Sequence, residues 1–198
     1  MIAFIILLFL NLTPKFQEEI IIDSKMTFEE SISGINFPMQ ILNQLELVDV
    51  KYYSFDGKLH QGQVLINKKV KKDILELFEI IKEIKFPIAK AIPISRYDWD
   101  DEKSMKDNNT SAFNYREVKG TSIKSYHSYG LAIDINPLQN PHIKRGRIFP
   151  ENANYNPVAA GTLTKESVIV KEFIKRGWSW GGNWKSSKDY QHFEKRLK

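Results

Sequence analysis

The feature that most constrains the fold is a hairpin signal in the first half of the chain. Two runs that contain β-branched and aromatic residues, 48–55 and 58–66, flank the dipeptide Asp56-Gly57. An Asp-Gly pair readily adopts the positive φ angles of a tight hairpin turn. The two runs therefore predict a pair of antiparallel strands.

Helices are predicted on both sides of the middle of the chain. Apolar residues recur at three- and four-residue steps from Val70 to Ile81, after Asn67 as a candidate N-cap. A second amphipathic helix is predicted from Thr164 to Arg176-Gly177, and a short one over 39–47. Hairpin strands with interspersed helices indicate an α+β fold with a largely antiparallel sheet and flanking helices.

The remaining elements are short and separated by long polar segments. Strands are predicted over 89–94, 131–135 and 191–195. Residues 95–120 and 138–162 lack hydrophobic periodicity, and long segments of this kind in a compact domain are commonly functional or mobile.

The chain length suits one compact domain, and we expect a monomer. We predict a signal peptide or hydrophobic segment over 1–20, a loose lead-in over 21–37 and a single domain over 38–198. The apolar run 1–12 is short for a membrane span, and its position suits a secretory signal, although no Lys or Arg precedes it. We therefore expect export to the periplasm or cell envelope, with transient membrane association through this segment; a hydrophobic N-terminal strand is the alternative.

Charge and cysteine content exclude several classes of protein. The 29 basic and 24 acidic residues give a net charge of +5 without an arginine-rich stripe, so we expect no nucleic-acid partner. No cysteine is present, which excludes disulfides, thiolate metal sites and a cysteine nucleophile. Any metal ion must therefore be held by histidine nitrogen and carboxylate oxygen.

Among the histidines, His127 has the most informative surroundings. His60 and His142 lie in polar contexts and are predicted to be surface residues. His127 precedes the apolar strand that contains Asp134, where an unpaired carboxylate would be costly to bury. Gly130 between them can bend the chain so that both side chains reach one side.

The segment Asp189-Tyr-Gln-His192-Phe-Glu194 supplies a third candidate ligand. In an extended strand His192 and Glu194 share one face. Two histidines and one carboxylate with an open fourth position are typical of a catalytic zinc site. Asp189 lies close enough to act on a water molecule at such a site.

Two segments resemble the paired signature of the M15 metallopeptidases: Ser125-x-His-x-x-Gly-x-Ala-x-Asp134 and Asp189-x-x-His-Phe-Glu194. Residues 108–116 and Asn136-Pro-x-x-Asn-Pro141 resemble a subgroup of this family. The family includes D-alanyl-D-alanine carboxypeptidases, VanY-like enzymes and L-alanyl-D-glutamate endolysins, and the resemblance covers about residues 85–195. It implies a hedgehog/DD-peptidase-like fold and zinc-dependent hydrolysis of peptidoglycan stem peptides.

The resemblance also implies the roles of the central residues. His127, Asp134 and His192 take the places of the Zn2+ ligands. Asp189 takes the place of the general base and acid, where several relatives carry glutamate.

An arginine that stabilises the developing oxyanion is expected as well. Arg116 is favoured over Arg96 because it lies nearer the motif. Ser125 and Glu194 are candidates for orienting the ligands or binding substrate. Trp180 is the candidate for an indole that lines the groove, with core packing of the tryptophans as the alternative.

Three other functions remain open at this stage. A non-catalytic zinc-containing module could bind the cell wall, and an iron oxygenase also uses two histidines and one carboxylate. A phage endolysin would use the same chemistry, but the predicted signal favours a host wall-remodelling enzyme. Which peptide bond is cut, and whether the enzyme is a carboxypeptidase or an endopeptidase, does not follow from the sequence.

Overall fold

The computed structural model describes residues 19–197. The predicted hydrophobic segment 1–20 lies almost entirely outside this range. Within residues 19–197, no helix is both long and apolar enough to cross a membrane.

The predicted hairpin is confirmed. Strands β2 (Leu45–Tyr53) and β3 (Leu59–Asn67) pair in antiparallel register along their whole length. Gly57 in the turn has a φ of 76°. The helix predicted over 39–47 is limited to α2 (Met39–Leu42), because the chain enters β2 at Leu45.

Residues 21–37 pack against the hairpin, whereas a loose lead-in was expected. Strand β1 (Ile21–Ile22) pairs in parallel with β3, and helix α1 (Phe28–Ser31) follows it. The Ser24 hydroxyl donates a 2.8 Å hydrogen bond to the Gln63 side chain. This contact joins residues far apart in sequence, so no local pattern could have predicted it.

The prediction of a surface position for His60 is wrong. His60 is only 8% exposed, and its Nδ1 lies 3.0 Å from an Asp23 oxygen, while Nε2 lies 3.2 Å from Asp56. The Tyr52 hydroxyl donates a 2.6 Å hydrogen bond to Asp23. We call these four residues the His60 cluster; it connects the N-terminal segment to the hairpin turn.

Two longer helices cover the sheets. Helix α3 (Lys71–Glu83) follows a turn capped by Asn67, as predicted. Helix α5 (Val168–Lys175) begins after Ser167 rather than at Thr164, because the Ser167 hydroxyl accepts a hydrogen bond from the Thr164 backbone N–H and closes a turn ahead of the helix.

The main hydrophobic core lies between these helices and the strands. Its members are almost completely excluded from solvent and are drawn from both halves of the chain, including Val64, Ile74, Leu77, Phe78, Ile133, Phe173, Trp180 and Phe193. Burial of this apolar surface therefore joins the hairpin to the elements that carry the candidate site.

The structure is α+β, but its strands form several small sheets rather than one. One antiparallel sheet has the order β6-β11-β9 and a second the order β10-β7-β8. The first contains β6 (Ala132–Asp134), β9 (Trp178–Trp180) and β11 (His192–Lys195). The second contains β7 (His142–Lys144), β8 (Arg147–Phe149) and β10 (Lys188–Asp189).

The region after α3 differs from the prediction in two ways. The strand expected over 89–94 is limited to β4 (Lys90–Ala91), which pairs in parallel with β5 (Asn109–Thr110). The segment expected to be irregular contains α4 (Asp101–Lys106). Asp100 caps this helix by accepting hydrogen bonds from two backbone N–H groups, a signal that the sequence does carry.

Candidate active site

The structure brings the three predicted ligands together. His127 lies in a short 3-10 turn (Tyr126–Tyr129), Asp134 ends β6 and His192 begins β11. Strands β6 and β11 are antiparallel, with His192 directly opposite Asp134. Opposed residues of an antiparallel pair project to the same face, so the register alone places these two side chains side by side.

Gly130 brings His127 to the same place. Its φ is 64°, in the left-handed region that glycine adopts without steric cost. Its N–H bonds to the His127 carbonyl and closes the turn at 3.0 Å. A Cβ at this position would lie 2.5 Å from the Asn67 backbone nitrogen. The predicted bend is therefore present, and it lies against the end of β3.

The spacing of the ligand atoms fits a small cation. His127 Nε2 lies 3.2 Å from Asp134 Oδ2 and 3.2 Å from His192 Nδ1. His192 Nδ1 lies 2.9 Å from Asp134 Oδ1. Ligands about 2.0–2.1 Å from a tetrahedral zinc ion are roughly 3.3 Å apart. The observed separations of 2.9–3.2 Å would therefore have to widen only slightly to hold zinc. All three residues are buried.

The outer nitrogen of each histidine has a partner. His127 Nδ1 donates to the Ala112 carbonyl, and His192 Nε2 lies 3.3 Å from Glu194 Oε2. Such contacts fix the tautomer, so His127 presents Nε2 and His192 presents Nδ1 to the centre of the site. Glu194 thus lies behind a ligand, in a position to orient it.

The charges of the site also favour a cation. Burial raises the pKa of Asp134, but the histidines beside it outweigh this effect and hold the pKa well below its usual range. Burial lowers the pKa of His192, yet hydrogen bonds to Asp134 and Glu194 raise it to about 10. The carboxylates therefore stabilise positive charge at the centre of the site.

Asp189 lies beside the ligands in strand β10. Burial raises its pKa to about 7; the charge of His192 opposes this effect and that of Asp134 adds to it. Its Oδ1 is buried without a hydrogen-bond partner among the described residues. A Cβ on Gly181 would lie 2.8 Å from the Asp189 Cβ, so glycine at this position lets the two chain segments approach.

The two candidate arginines lie in different places. Arg116 is close enough to lower the pKa of Asp189. Its Nε is buried without a hydrogen-bond partner among the described residues, while its Nη2 lies 3.0 Å from Asp101. Arg96 is exposed and lines a separate pocket of about 370 Å³ with Asp23 and Ser33. The arrangement therefore favours Arg116 as the arginine of the site.

The two remaining candidates, Ser125 and Trp180, lie in different surroundings. Ser125 caps the turn that carries His127 by accepting a hydrogen bond from its backbone N–H at 3.3 Å. Trp180, the candidate for an indole that lines the groove, is buried against Phe193 in the core, which agrees with the alternative of core packing. Trp184 is the tryptophan next to the site, with its ring 5.4 Å from that of His192. Burial alternates along β9 because this strand pairs with β11, and the sequence does not show that pairing.

Two residues around the site, Ser128 and His142, are not indicated by any local sequence pattern. The Ser128 hydroxyl accepts a 2.9 Å hydrogen bond from the Arg116 N–H and donates to the Arg116 carbonyl, so it ties the arginine to the histidine turn. His142, predicted to be a surface residue, has its Nδ1 3.8 Å from Asp189 Oδ2. Neither contact follows from local sequence, because each joins segments that are brought together by the fold.

Comparison with known proteins agrees with this geometry. Residues 119–195 match the model of a family described as D-alanyl-D-alanine carboxypeptidase, of the M15 peptidases. The matched region begins before His127 and ends just after Glu194. No solved structure matches the chain.

Proposed function

We propose, on the premise of the match to the M15 peptidase family over residues 119–195, that the chain is a zinc-dependent peptidase of bacterial peptidoglycan. The substrate would be a stem peptide, cut either at the terminal D-Ala-D-Ala bond or internally. The observation that carries the proposal is the convergence of His127 Nε2, Asp134 and His192 Nδ1, with Asp189 close enough for the charges of Asp134 and His192 to change its pKa.

Zinc fits the donor set best. Two imidazole nitrogens and one carboxylate, with each imidazole fixed from behind, are typical of catalytic zinc sites. When bound, zinc lowers the pKa of water and polarises a peptide carbonyl. The three residues would hold the ion, and the stem peptide would approach from the side of Asp189.

Asp189 is suited to proton transfer. A group with a pKa of about 7 can accept a proton and release it again near neutral pH. We propose that it takes a proton from the attacking water and delivers it to the leaving amine. Arg116 would stabilise the negative charge that develops on the carbonyl oxygen through its Nε, which has no partner in the part of the chain that the structure describes.

We also propose a fold family and a cellular location for the protein. The α+β arrangement, with the ligands on β6, β11 and the preceding turn, is consistent with a hedgehog/DD-peptidase-like fold. We propose that the protein is exported to the cell envelope and acts as a monomer. The net charge of +5 suits an anionic wall surface.

Digestion of purified peptidoglycan tests the proposal. The full chain is incubated with peptidoglycan, with and without a chelator, and the fragments are analysed by mass spectrometry. Chelator-sensitive loss of a terminal D-alanine would indicate a carboxypeptidase, and new internal termini an endopeptidase. Binding to the wall without any cleavage would indicate a non-catalytic module, and bound iron without zinc-dependent hydrolysis would indicate an oxygenase; either result would overturn the proposal.

A further inference from the structure

We propose that His142 is a positioning residue, whose Nδ1–H holds the Asp189 carboxylate so that Oδ1 faces the candidate metal site. The inference rests on the proposed function, because Asp189 is the base in that proposal. It assigns a role to a histidine outside the M15 signature segments.

Strand pairing places the two side chains on one face. Strands β7 and β10 are antiparallel, with Asp189 directly opposite His142. Opposed residues in such a pair have Cβ atoms about 4.5–5.5 Å apart and project in the same direction. The contact is therefore built into the register of the sheet rather than dependent on a flexible loop.

The atoms of the pair have few other partners. His142 Nδ1 lies 3.8 Å from Asp189 Oδ2, beyond hydrogen-bond range, so the proposed hydrogen bond requires the two atoms to approach further. Asp189 Oδ1 and His142 Nε2 are both buried without hydrogen-bond partners among residues 19–197. Catalytic hydrogen bonds are often long without substrate and shorten in the complex.

The backbone of Asp189 is held by close packing, and its carboxylate lies near the side chain of Gln191 as well as that of His142. A Cβ on Gly181 would lie 2.5 Å from the Asp189 carbonyl oxygen, so the two backbones are in close contact. The His142 ring also has a fixed neighbour, Phe149, whose ring lies 6.2 Å away across the β7–β8 hairpin. A ring that is supported on one side and faces the carboxylate on the other can restrict the rotation of that carboxylate.

A neutral histidine suits this role. Burial lowers the pKa of His142, and the charge of Lys144 lowers it further. The neutral ring carries one N–H, and donation from Nδ1 leaves Nε2 as an acceptor. His142 can then orient the base without placing a full positive charge beside it.

Three variants separate positioning from packing. In His142→Asn the side-chain amide nitrogen lies near the place of Nδ1, in His142→Gln it lies near the place of Nε2, and His142→Phe keeps the ring without a donor. On a soluble stem peptide that the wild type cleaves, we expect kcat to fall about 10–100-fold in His142→Gln and His142→Phe. We expect His142→Asn to retain most of the wild-type kcat, and KM, zinc content and melting temperature to stay near wild type in all three. Equal kcat in all variants, or equal loss in His142→Asn and His142→Gln, would overturn the inference.

The tautomer of His142 provides a test that does not depend on activity. Two-bond 1H–15N correlation spectra of the full chain report which ring nitrogen carries the proton. We expect Nδ1–H in the wild type and a shift toward Nε2–H, the form favoured in free imidazole side chains, in Asp189→Ala. Nε2–H in the wild type would reject the pair even if the peptidase is active. Absence of cleavage of any wall peptide, with Nδ1–H retained, would instead reject the proposed function and leave the His142–Asp189 contact established.

Discussion

The His60 cluster and the candidate metal site are built from the same residue types but differ in how their polar atoms are used. In the His60 cluster each ring nitrogen meets a carboxylate, and Asp23 also accepts a hydrogen bond from Tyr52. In the candidate metal site two rings share the Asp134 carboxylate, and Asp189 keeps a buried oxygen that has no partner within residues 19–197.

This difference distinguishes a cluster that stabilises the fold from one that can act on a ligand. Buried polar atoms normally find partners, and an unpaired one costs about 1–3 kcal/mol. The His60 cluster avoids this cost, because the Asp23 carboxylate is paired with both His60 and Tyr52. At the candidate metal site the ring nitrogens are also paired, and the cost falls on Asp189 Oδ1, which has no partner within residues 19–197, as is expected where a cation and a substrate complete the set of contacts.

Replacing one histidine in each of the two places should produce the largest contrast. In His192→Ala we expect loss of zinc and a fall of hydrolysis to background, because two ligands bind the ion weakly. In His60→Ala we expect zinc content and hydrolysis near wild type. Zinc per chain by elemental mass spectrometry and cleavage of peptidoglycan measure both; loss of zinc in His60→Ala would contradict the comparison.

Asp189→Asn should separate catalysis from metal binding. We expect kcat to fall about 10²–10⁴-fold, the usual contribution of a general base, with zinc still bound. If turnover survives, the proton acceptor lies elsewhere, and Glu194 is the next candidate to substitute.

The same variant should be more stable than wild type after chelation. Asp189 has a pKa of about 7 when folded against about 3.9 unfolded, so the folded chain binds more protons between these values and the wild type loses stability as pH rises through them. The difference in free energy of unfolding between Asp189→Asn and the wild type should therefore grow from about pH 4 to about pH 7, by a few kcal/mol at most. Above pH 7 this difference should stay constant. Urea unfolding at several pH values measures this, and a gain that shrinks with rising pH would exclude burial as the cause of the raised pKa.

The two arginines offer a matched pair. In Arg116→Ala we expect kcat to fall about 10²–10³-fold, the effect of removing one oxyanion donor. In Arg96→Ala, whose side chain is exposed in a separate pocket, we expect no change in kcat. Steady-state kinetics on one stem peptide compare them, and the opposite order would move the oxyanion role to Arg96.

The smallest effects are expected within the His60 cluster itself. His60→Ala leaves the half-buried Asp23 without its histidine partner and should lower the free energy of unfolding by about 1–3 kcal/mol. Asp56→Ala removes a more exposed carboxylate, 45% accessible, and should lower the free energy of unfolding by less than His60→Ala does. Urea unfolding measures both variants. Equal losses of unfolding free energy would mean that burial does not determine how much each contact contributes.

Local patterns predicted the hairpin, helix α3 and the three residues that converge at the candidate metal site. The Asp56-Gly57 turn and the helical spacing after Asn67 act over a few residues, so they can be read directly. The ligand set depended on the unusual position of Asp134 within an apolar strand and on the resemblance of its surroundings to a known signature.

What could not be predicted depends on pairing between distant segments. The burial of His60 requires Asp23 from a strand that joins β3 in parallel. The place of His142 requires the register of β7 with β10. A one-residue change of either register would move these side chains to the opposite face, and nothing local specifies the partner.

The contact of Gly130 with the end of β3 has a consequence for how this protein could be divided. The Asn67 N–H donates a 2.9 Å hydrogen bond to the Gly130 carbonyl, and the Asn67 amide donates to the Tyr129 carbonyl at 3.0 Å. The histidine turn thus depends on a hairpin that precedes the family-matched region. A gene fragment cut at residue 119 would encode the ligands without this support, so recombination or domain grafting would have to transfer the hairpin together with the signature.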